Sequence, residues 1–418
     1  MGFESLEERR WLIATAAVVT QLCLGVAYAW VIFQIPLVQS LGWTEPVART
    51  TIVIMMVSMG VGAFVGGSRA DKGAVRRAAT LGALLLGLGT LLTGFAATQG
   101  NLWMLYIGCG VLVGCGFGWS CVTSLGMLVR WFPDRRGLSM GLAFMGFGSG
   151  IALMGYYEPS MLTFFGGART CFILGAAFLF LATGSARMFA NPPADWLPKG
   201  FASTDARMTD VDSFRFSEAI RTPQWWMFWV MFFLSVMVGL GFVSQLSPFA
   251  QFALKKISPA ITPEELVRQK SLIIGLASVF IALGPVLWAA ISDHIGRRSV
   301  MITLFYVQSM FFLFYPYVSH LMQFAGIACF LFSCFGGSFA IIAAYAADCF
   351  GPGYIEKIYG TMLTAWGCAG VAAPVVFNLP VIKPLAFYLT SAILFLGFLI
   401  AIGCRPPKHK GPISVKGA

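Results

Sequence analysis

Charged residues are scarce in this chain, and those present lie mostly between long apolar runs. Of the 418 residues, 11% are charged and 58% are hydrophobic. A soluble helical protein needs a polar face on most of its helices, and such a composition does not supply it. The shortage argues against a soluble globular protein and predicts an all-α polytopic membrane protein.

Motifs of several other protein classes are missing as well. The segment Met1 to Arg10 is charged and leads to no small-residue cleavage site, so we expect no cleavable signal peptide. The ten cysteines lie mostly within apolar runs and show no metal-ligand spacing, which argues against a disulfide framework or a metal site. No phosphate-binding loop is present, so we expect neither an ATP-driven pump nor a bound cofactor.

The chain contains instead a succession of apolar runs of about 20 residues, the length at which a helix crosses the hydrocarbon core of a bilayer. A polar segment with three prolines, residues 191–222, has six such runs before it and six after it. The pattern predicts 12 transmembrane helices in two halves. We expect an N-terminal six-helix half (1–190), a linker (191–222), a C-terminal six-helix half (223–404) and a tail (405–418).

Lysine and arginine residues are concentrated on one side of the predicted topology. Most of the 28 fall in loops on the same side as the linker and both termini. Because positively charged loops stay in the cytoplasm, the linker and termini are predicted to be cytoplasmic and the protein to lie in the inner membrane. The basic residues therefore set topology and do not indicate a nucleic-acid partner. None is left for the membrane interior.

Two charged loops at corresponding positions of the halves indicate an internal repeat. Asp71 lies in GGSRADKGAVRR after the second run, and Asp293 lies in AAISDHIGRR after the eighth. Gln34, near the end of the first run, corresponds in the same way to Gln245, near the end of the seventh. Two related halves of six helices are a transporter architecture.

At these loops the sequence resembles the major facilitator superfamily. The loop signature of that family is G-x-x-x-D-[RK]-x-G-R-[RK]; Gly67, Asp71 and Lys72 fit its first copy, and Asp293 and Arg297 fit the second. The segments RWFPDRRG, RTPQWW, SDHIGR and CFGGSFA are similar to the oxalate/formate antiporter family, which is related to the monocarboxylate transporters. The resemblance covers essentially the whole chain.

The resemblance implies a small carboxylate held between the halves and exposed to each side in turn. Carriers of this kind use an arginine in the eighth span and, for oxalate, a lysine in the eleventh. The corresponding positions here are Pro285 and Trp366. An oxalate dianion would have no fixed cation to face, and burying such a charge uncompensated is prohibitive. We therefore expect a monocarboxylate, with neutral or hydrophobic small molecules as the alternative.

Aromatic positions of the family carry over in part. Tyr28 is retained. The aromatic residue of the family's fourth span falls near Cys121, with Trp119, two residues away, as a candidate substitute. In the tenth span, Phe335 and Phe339 correspond to a Trp and a Tyr of the family. Together with hydroxyl and amide donors, these give the candidate substrate-binding residues Tyr28, Gln34, Trp119, Ser120, Cys121, Gln245, Ser278, Pro285, Phe335, Ser338, Phe339 and Trp366. For each one, helix packing or anchoring at the membrane interface explains the residue equally well.

Two further sets of charged residues are candidates for proton coupling and for gating. Glu158, near the outer end of the fifth span, is a candidate proton-coupling group, because an embedded acid with a desolvated carboxyl is a functional hypothesis by default. The alternative is an interfacial glutamate just beyond the helix. Candidate gating residues, which would form charge pairs at the inner face or only set topology, are Asp71, Arg76, Asp134, Arg135, Asp293 and Arg297.

The predicted function is secondary active transport of a small organic acid by alternating access, coupled to protons or to an exchanged anion. We expect a monomer in the lipid bilayer. A sensor that binds a ligand without moving it is an alternative, although such a protein would be expected to carry a signalling domain. A membrane enzyme is disfavoured, because the apolar runs contain no His, Lys or Arg and at most one acid with which to do chemistry.

Overall fold

A computed structural model of the chain describes residues 3–40, 43–193, 196–198, 213–258, 260–318, 320–377 and 383–407. Within this part of the chain, twelve helices are long and apolar enough to cross a membrane. The predicted all-α polytopic fold is thereby confirmed. The side chains of Gln34 and Glu158 lie outside the described residues, so the predictions for these two positions stay predictions.

The N-terminal half contains α1 to α6. The helices are α1 Phe3–Ser40, α2 Glu45–Ala70, α3 Val75–Gln99 and α4 Leu102–Trp131, followed by Arg136–Met188, which comprises α5 (136–165) and α6 (167–188). Gly166 divides α5 from α6 with φ 74° and ψ 167°. Only glycine adopts such a backbone conformation without strain, and it lets the chain turn between the two helices.

The C-terminal half contains α7 to α12. The helices are α7 Pro223–Ile257, α8 Pro263–Ile295, α9 Arg297–Tyr317, α10 Leu321–Phe350, α11 Ile355–Phe377 and α12 Lys383–Gly403. The start of α7 follows from local sequence. Thr222 accepts a hydrogen bond from the backbone N–H of Trp225, and Pro223 occupies the first turn, where its missing N–H costs nothing.

The two halves meet along two helix pairs, α2 with α11 and α5 with α8. Both pairs approach closely at glycines. A Cβ on Gly360 of α11 would lie 2.7 Å from the carbonyl oxygen of Ala63, and a Cβ on Gly141 of α5 would lie 2.7 Å from that of Pro285. If six is added to a helix number of the first half, α2 corresponds to α8 and α5 corresponds to α11. The two interfaces therefore correspond to each other under the internal repeat that the sequence predicts.

The loops α2–α3, α4–α5, α8–α9 and α10–α11 lie at one end of the bundle, together with the end of the linker. Here the backbone N–H of Phe214 donates to the carbonyl oxygen of Phe350 at 2.9 Å, which fixes the linker to the end of α10. We call this end the linker face. The end of the bundle away from it is called the opposite face.

Candidate functional site

A cavity of about 60 Å³ lies between the two halves. Six helices provide the described wall, and the lining consists almost entirely of aromatic and aliphatic side chains. The lining residues are Tyr28, Phe144, Phe147, Gly148, Ile151, Leu240, Val243, Ile281, Pro285, Phe335, Gly336, Phe339 and Trp366.

Trp366 of α11 is the centre of an aromatic cluster that joins the halves at this cavity. Its ring centroid lies 5.2 Å from that of Tyr28, 5.5 Å from that of Phe147 and 4.9 Å from that of Phe339. Aromatic pairs at such distances contribute about 0.5–1.5 kcal/mol each beyond the burial of their area. The position at which oxalate carriers place a lysine is thus part of a packed apolar wall.

Tyr28 supplies the polar group of the cavity wall. Its oxygen accepts a hydrogen bond from the indole N–H of Trp366 at 3.1 Å. Among the described residues no acceptor is found for the hydroxyl proton of Tyr28, so this O–H is available to a ligand. No charged side chain belongs to the described lining. The cavity therefore offers a hydroxyl donor and no fixed charge.

Pro285 changes the backbone of α8 where the family places its arginine. Proline has no N–H, so the carbonyl oxygen of Ile281, one turn earlier, lacks its helical donor. That oxygen faces α10 at Gly336, where a Cβ would lie 2.5 Å from it. A hydrogen-bond acceptor has thus taken the place of a cation in this wall.

Three predicted substrate residues of α4 lie outside the described lining. The ring of Trp119 lies under the guanidinium of Arg69, which is 5.0 Å from the ring centroid. Ser120 packs against Gly82 of α3. The thiol of Cys121 accepts from the side-chain amide of Gln21 on α1 at 3.8 Å. These residues hold α4 against its neighbours within the N-terminal half.

Three predicted residues of the C-terminal half also lie away from the described lining. Ser338 accepts a hydrogen bond from Ser235 at 2.7 Å between α10 and α7. The hydroxyl of Ser278 donates to a backbone carbonyl of its own helix. Gln245 is half-buried on α7. Of the predicted substrate residues, the structure brings together Tyr28, Pro285, Phe335, Phe339 and Trp366.

At the linker face a first group of charged residues joins α2 and α4 to α11. Arg130 lies 2.6 Å from the carboxylate of Glu356 and 3.5 Å from that of Asp71. The backbone N–H of Lys357, at the start of α11, donates to the other oxygen of Asp71 at 3.1 Å. We call Asp71, Arg130 and Glu356 the Asp71 network.

A second group joins α8 and α10 to α5. Asp293 accepts from two backbone N–H groups in the first turn of α5, at 3.2 and 2.9 Å. Asp348 lies 3.0 Å from Arg136 and 3.2 Å from Arg297, which also pairs with Asp293. We call Asp293, Arg297, Arg136 and Asp348 the Asp293 network.

The two networks occupy equivalent positions of the repeat. Each contains an aspartate at the C-terminal end of α2 or α8 that accepts from the N-terminus of the facing helix, where a negative charge is favourable. The charges around it are reversed. Arg130 at the end of α4 pairs with Glu356 on α11, whereas Asp348 near the end of α10 pairs with Arg136 on α5. Both networks join the two halves at the linker face.

The other predicted gating residues remain inside the N-terminal half. Arg76 donates to the carbonyl oxygen of Phe189 at 3.2 Å, and Asp134 lies 3.2 Å from Arg10 of α1. The side chain of Arg135 is exposed. Their charged contacts in the described part of the chain do not cross between the halves.

Sequence reasoning missed Arg130, Arg136, Asp348 and Glu356, which make the ion pairs between the halves. Arg130 and Arg136 flank the loop between α4 and α5, and Asp348 and Glu356 flank the loop between α10 and α11. These loops correspond in the two halves, and the flanking residues are basic in the first half and acidic in the second. A comparison of the two halves for opposite charge would have found them. It would not have found Phe144 and Phe147, because an apolar residue facing a cavity has the same composition signal as one facing lipid.

The chain is similar over most of its length to known membrane transporters. The family model for the Major Facilitator Superfamily matches residues 15–374 and, in a second match, 249–418. The uncharacterized MFS-type transporter YhjX of Escherichia coli is 28% identical over 371 residues, which is 87% of each chain. The oxalate:formate antiporter of Oxalobacter formigenes is 26% identical over 402 residues, 94% of this chain and 90% of that protein.

A solved structure shares the fold. The crystal structure of the transporter FucP in the outward conformation has a TM-score of 0.68 at 15% identity, covering 94% of this chain and 99% of that one. At this identity the likeness concerns the fold alone.

Proposed function

Because the chain belongs to the major facilitator superfamily, we propose that it is a secondary active transporter that carries a small monocarboxylic acid by alternating access. The observation that carries the proposal is the cavity between the halves, which both halves line and which the two charged networks close off from the linker face. Opening that face requires α11 to leave α2 and α4, and α5 to leave α8 and α10.

The substrate class is supported by similarity and by the cavity wall together. The oxalate:formate antiporter is a relative over most of the chain. A cavity without a described cation disfavours a dianion, because a buried uncompensated charge is costly. A monocarboxylic acid in its neutral form needs no cation. Its carbonyl can accept from Tyr28, and its apolar body can lie against the phenylalanines.

The second candidate is a transporter of neutral or apolar small molecules. The composition of the cavity wall favours it, because Trp366 and Pro285 stand where anion carriers have basic residues. For both candidates we propose that the linker and the termini are cytoplasmic, in an inner membrane, and that the protein acts as a monomer.

Thermal stabilisation of the purified protein separates the two candidates. Matched pairs of compounds, each an aromatic or aliphatic monocarboxylate and its uncharged amide, are compared with oxalate across pH. A ligand at a hundred times its Kd stabilises by about 2.7 kcal/mol. We expect stabilisation by monocarboxylates that strengthens as pH falls, because the neutral acid becomes more abundant, and none by oxalate.

Amides that bind as tightly as their acids would favour the second candidate, a transporter of neutral or apolar small molecules, over a monocarboxylate transporter. Absence of a response to every acid at every pH would refute it. Uptake of a stabilising acid by proteoliposomes then distinguishes transport from binding without transport, which a sensor would show.

A further inference from the structure

The two linker-face networks differ in their balance of charge. The Asp293 network contains two carboxylates and two guanidinium groups. The Asp71 network contains two carboxylates, Asp71 and Glu356, and the single guanidinium of Arg130. The side chain of Glu356 is 0% exposed, that of Asp71 5% and that of Arg130 11%. Within the described part of the chain, one buried negative charge is thus left without a counter-charge.

Neighbouring cations do not supply the missing charge. The ammonium group of Lys357 lies over the rings of Phe64 and Phe216, at 5.0 and 4.9 Å. The guanidinium of Arg69 lies over Trp119. On α3, Arg76 is exposed and bonds a backbone carbonyl. Among the described residues, Arg130 is the ion-pair partner of both acids.

One oxygen of each carboxyl group also lacks a hydrogen-bond donor. The second oxygens are used, since Lys357 donates its backbone N–H to Asp71 and Arg130 donates to Glu356. The first oxygens, Oδ1 of Asp71 and Oε1 of Glu356, are buried without a hydrogen-bond donor among the described residues, and Oδ1 has only the longer ion-pair contact with Arg130 at 3.5 Å. An unsatisfied buried acceptor costs about 1–3 kcal/mol, and more if it is charged. Both carboxyl groups approach the same Nη2 nitrogen of Arg130, at 3.5 and 2.6 Å, which brings them close together.

The surroundings of Glu356 leave little room for another partner. Its carboxyl group packs against Gly126 of α4, where a Cβ would lie 2.5 Å from Oε1. A proton on either acid resolves both difficulties at once. It provides an O–H donor for the oxygen of the other acid and reduces the network to one carboxylate and one guanidinium.

We propose that the Asp71–Glu356 pair binds one proton when the linker face is closed and releases it when that face opens. The proton is taken from water and forms the O–H bond of one acid, which donates to the other. Opening separates Asp71 and Arg130, in the N-terminal half, from Glu356 in the C-terminal half. Each carboxyl group is then hydrated, and the proton returns to water on the linker side.

The direction of the pH effect follows from this exchange. Burial is the main cause that raises the pKa of Asp71, and the neighbouring Glu356 carboxyl is the second. Arg130 and the backbone N–H of Lys357 lower this pKa by a smaller amount. In the open state Asp71 is hydrated, and its pKa returns towards the ordinary value of about 4. The closed state therefore binds more protons, is favoured as pH falls, and loses this advantage as pH rises through the raised pKa.

One proton changes the ratio of closed to open molecules tenfold per pH unit between the two pKa values. Acidification of the linker side would close the gate. Import of an acid acidifies that side, so import would then close the gate and slow further import. This regulation is separate from the chemistry of the substrate cavity, so it does not depend on the identity of the substrate.

The test measures the distance between the halves at the linker face. Spin labels are attached to the full chain at R77C and H294C, two exposed positions at that face, one in each half, with the exposed Cys368 replaced by serine. This reporter pair is followed from about pH 5 to pH 9, above the ordinary carboxyl pKa. We expect the ratio of the short-distance to the long-distance population to rise as pH falls, by up to tenfold per pH unit.

Two substitutions remove the proton site while keeping its shape. In E356Q or D71N the amide N–H₂ replaces the shared O–H, so we expect a closed linker face at every pH and no slope. D348N is the matched control in the balanced network and should keep the wild-type slope. In infrared spectra, a carboxylic-acid carbonyl band of the wild type at neutral pH should disappear in both amide variants.

A wild-type distance distribution that does not change with pH would overturn the proposal. So would an E356Q or D71N variant that keeps the wild-type slope and the infrared band. If one amide variant fails to fold, the other and the wild-type infrared band decide. Loss of substrate binding or uptake has no bearing on these outcomes, so the proposal and the transport function fail separately.

Discussion

At the scale of single residues, the main feature of the cavity is that two of its positions lack a basic side chain. Pro285 and Trp366 stand where anion carriers of the family have an arginine and a lysine, and both residues line the cavity. Trp366 provides its N–H to Tyr28 and leaves the tyrosine O–H as the donor for a ligand. Recognition in this cavity is therefore expected to depend on one hydroxyl and on apolar area.

Replacement of Tyr28 by phenylalanine tests this dependence. Y28F keeps the ring contacts and removes the donor, so we expect binding of a monocarboxylic acid to weaken about twofold to tenfold, because a net hydrogen bond contributes about 0.5–1.5 kcal/mol. The Kd is measured by the concentration dependence of thermal stabilisation. S278A, which removes a hydroxyl outside the described lining, is the control. Equal affinity of Y28F and wild type would remove Tyr28 from the site.

At the scale of helices, the closed state depends on close packing between the halves. The pairs α2–α11 and α5–α8 touch at glycines because a side chain there would meet the backbone of the facing helix. The same glycines add no favourable contact when the halves separate. Their effect is therefore specific to the closed linker face.

A methyl group on α11 is expected to open that face. In G360A the new Cβ lies 2.7 Å from the carbonyl oxygen of Ala63, and overpacking of this kind costs about 1–3 kcal/mol. The closed-to-open ratio, read from the reporter pair, should fall by about 5- to 150-fold. G275A is the control, because its Cβ meets nothing within 4 Å while its effect on helix propensity is the same. A closed population unchanged in G360A would contradict the packing argument.

At the scale of the whole molecule, both networks act on one equilibrium between two positions of the halves. They belong to equivalent interfaces of the repeat, and the linker face opens only when both are broken. The balanced network contributes attraction without proton exchange, whereas the unbalanced one adds the dependence on pH. Two related structural units thus have different tasks because they differ by one guanidinium group.

Removal of Arg136 is expected to make the second network resemble the first. In R136Q, Asp293 and Asp348 keep Arg297 and lose the guanidinium of Arg136, so we expect that network also to take up a proton on closing. The closed population at neutral pH should fall, since removing one partner of a buried pair costs about 3–5 kcal/mol. The pH slope of the reporter-pair distances should become steeper than in the wild type. A slope equal to that of the wild type would show that charge balance does not set proton binding here.

The sequence by itself determined the membrane architecture. Helix number and the order of the halves depend on the length of apolar runs, which is a local property set by the thickness of the bilayer. The repeat was equally visible, because Asp71 and Asp293 lie in corresponding loops. Even the absence of a cation at Pro285 and Trp366 could be predicted from the family resemblance.

Only the tertiary structure decided which residues meet. Phe144 and Phe147 line the cavity, and Trp119, Ser120 and Ser338 do not belong to the described lining, although hydropathy treats a cavity-facing and a packed residue alike. Arg130 and Glu356, which pair with each other, are 226 positions apart in the sequence. Whether a charge is balanced depends on the helices around it, and no property of its own loop reveals that balance.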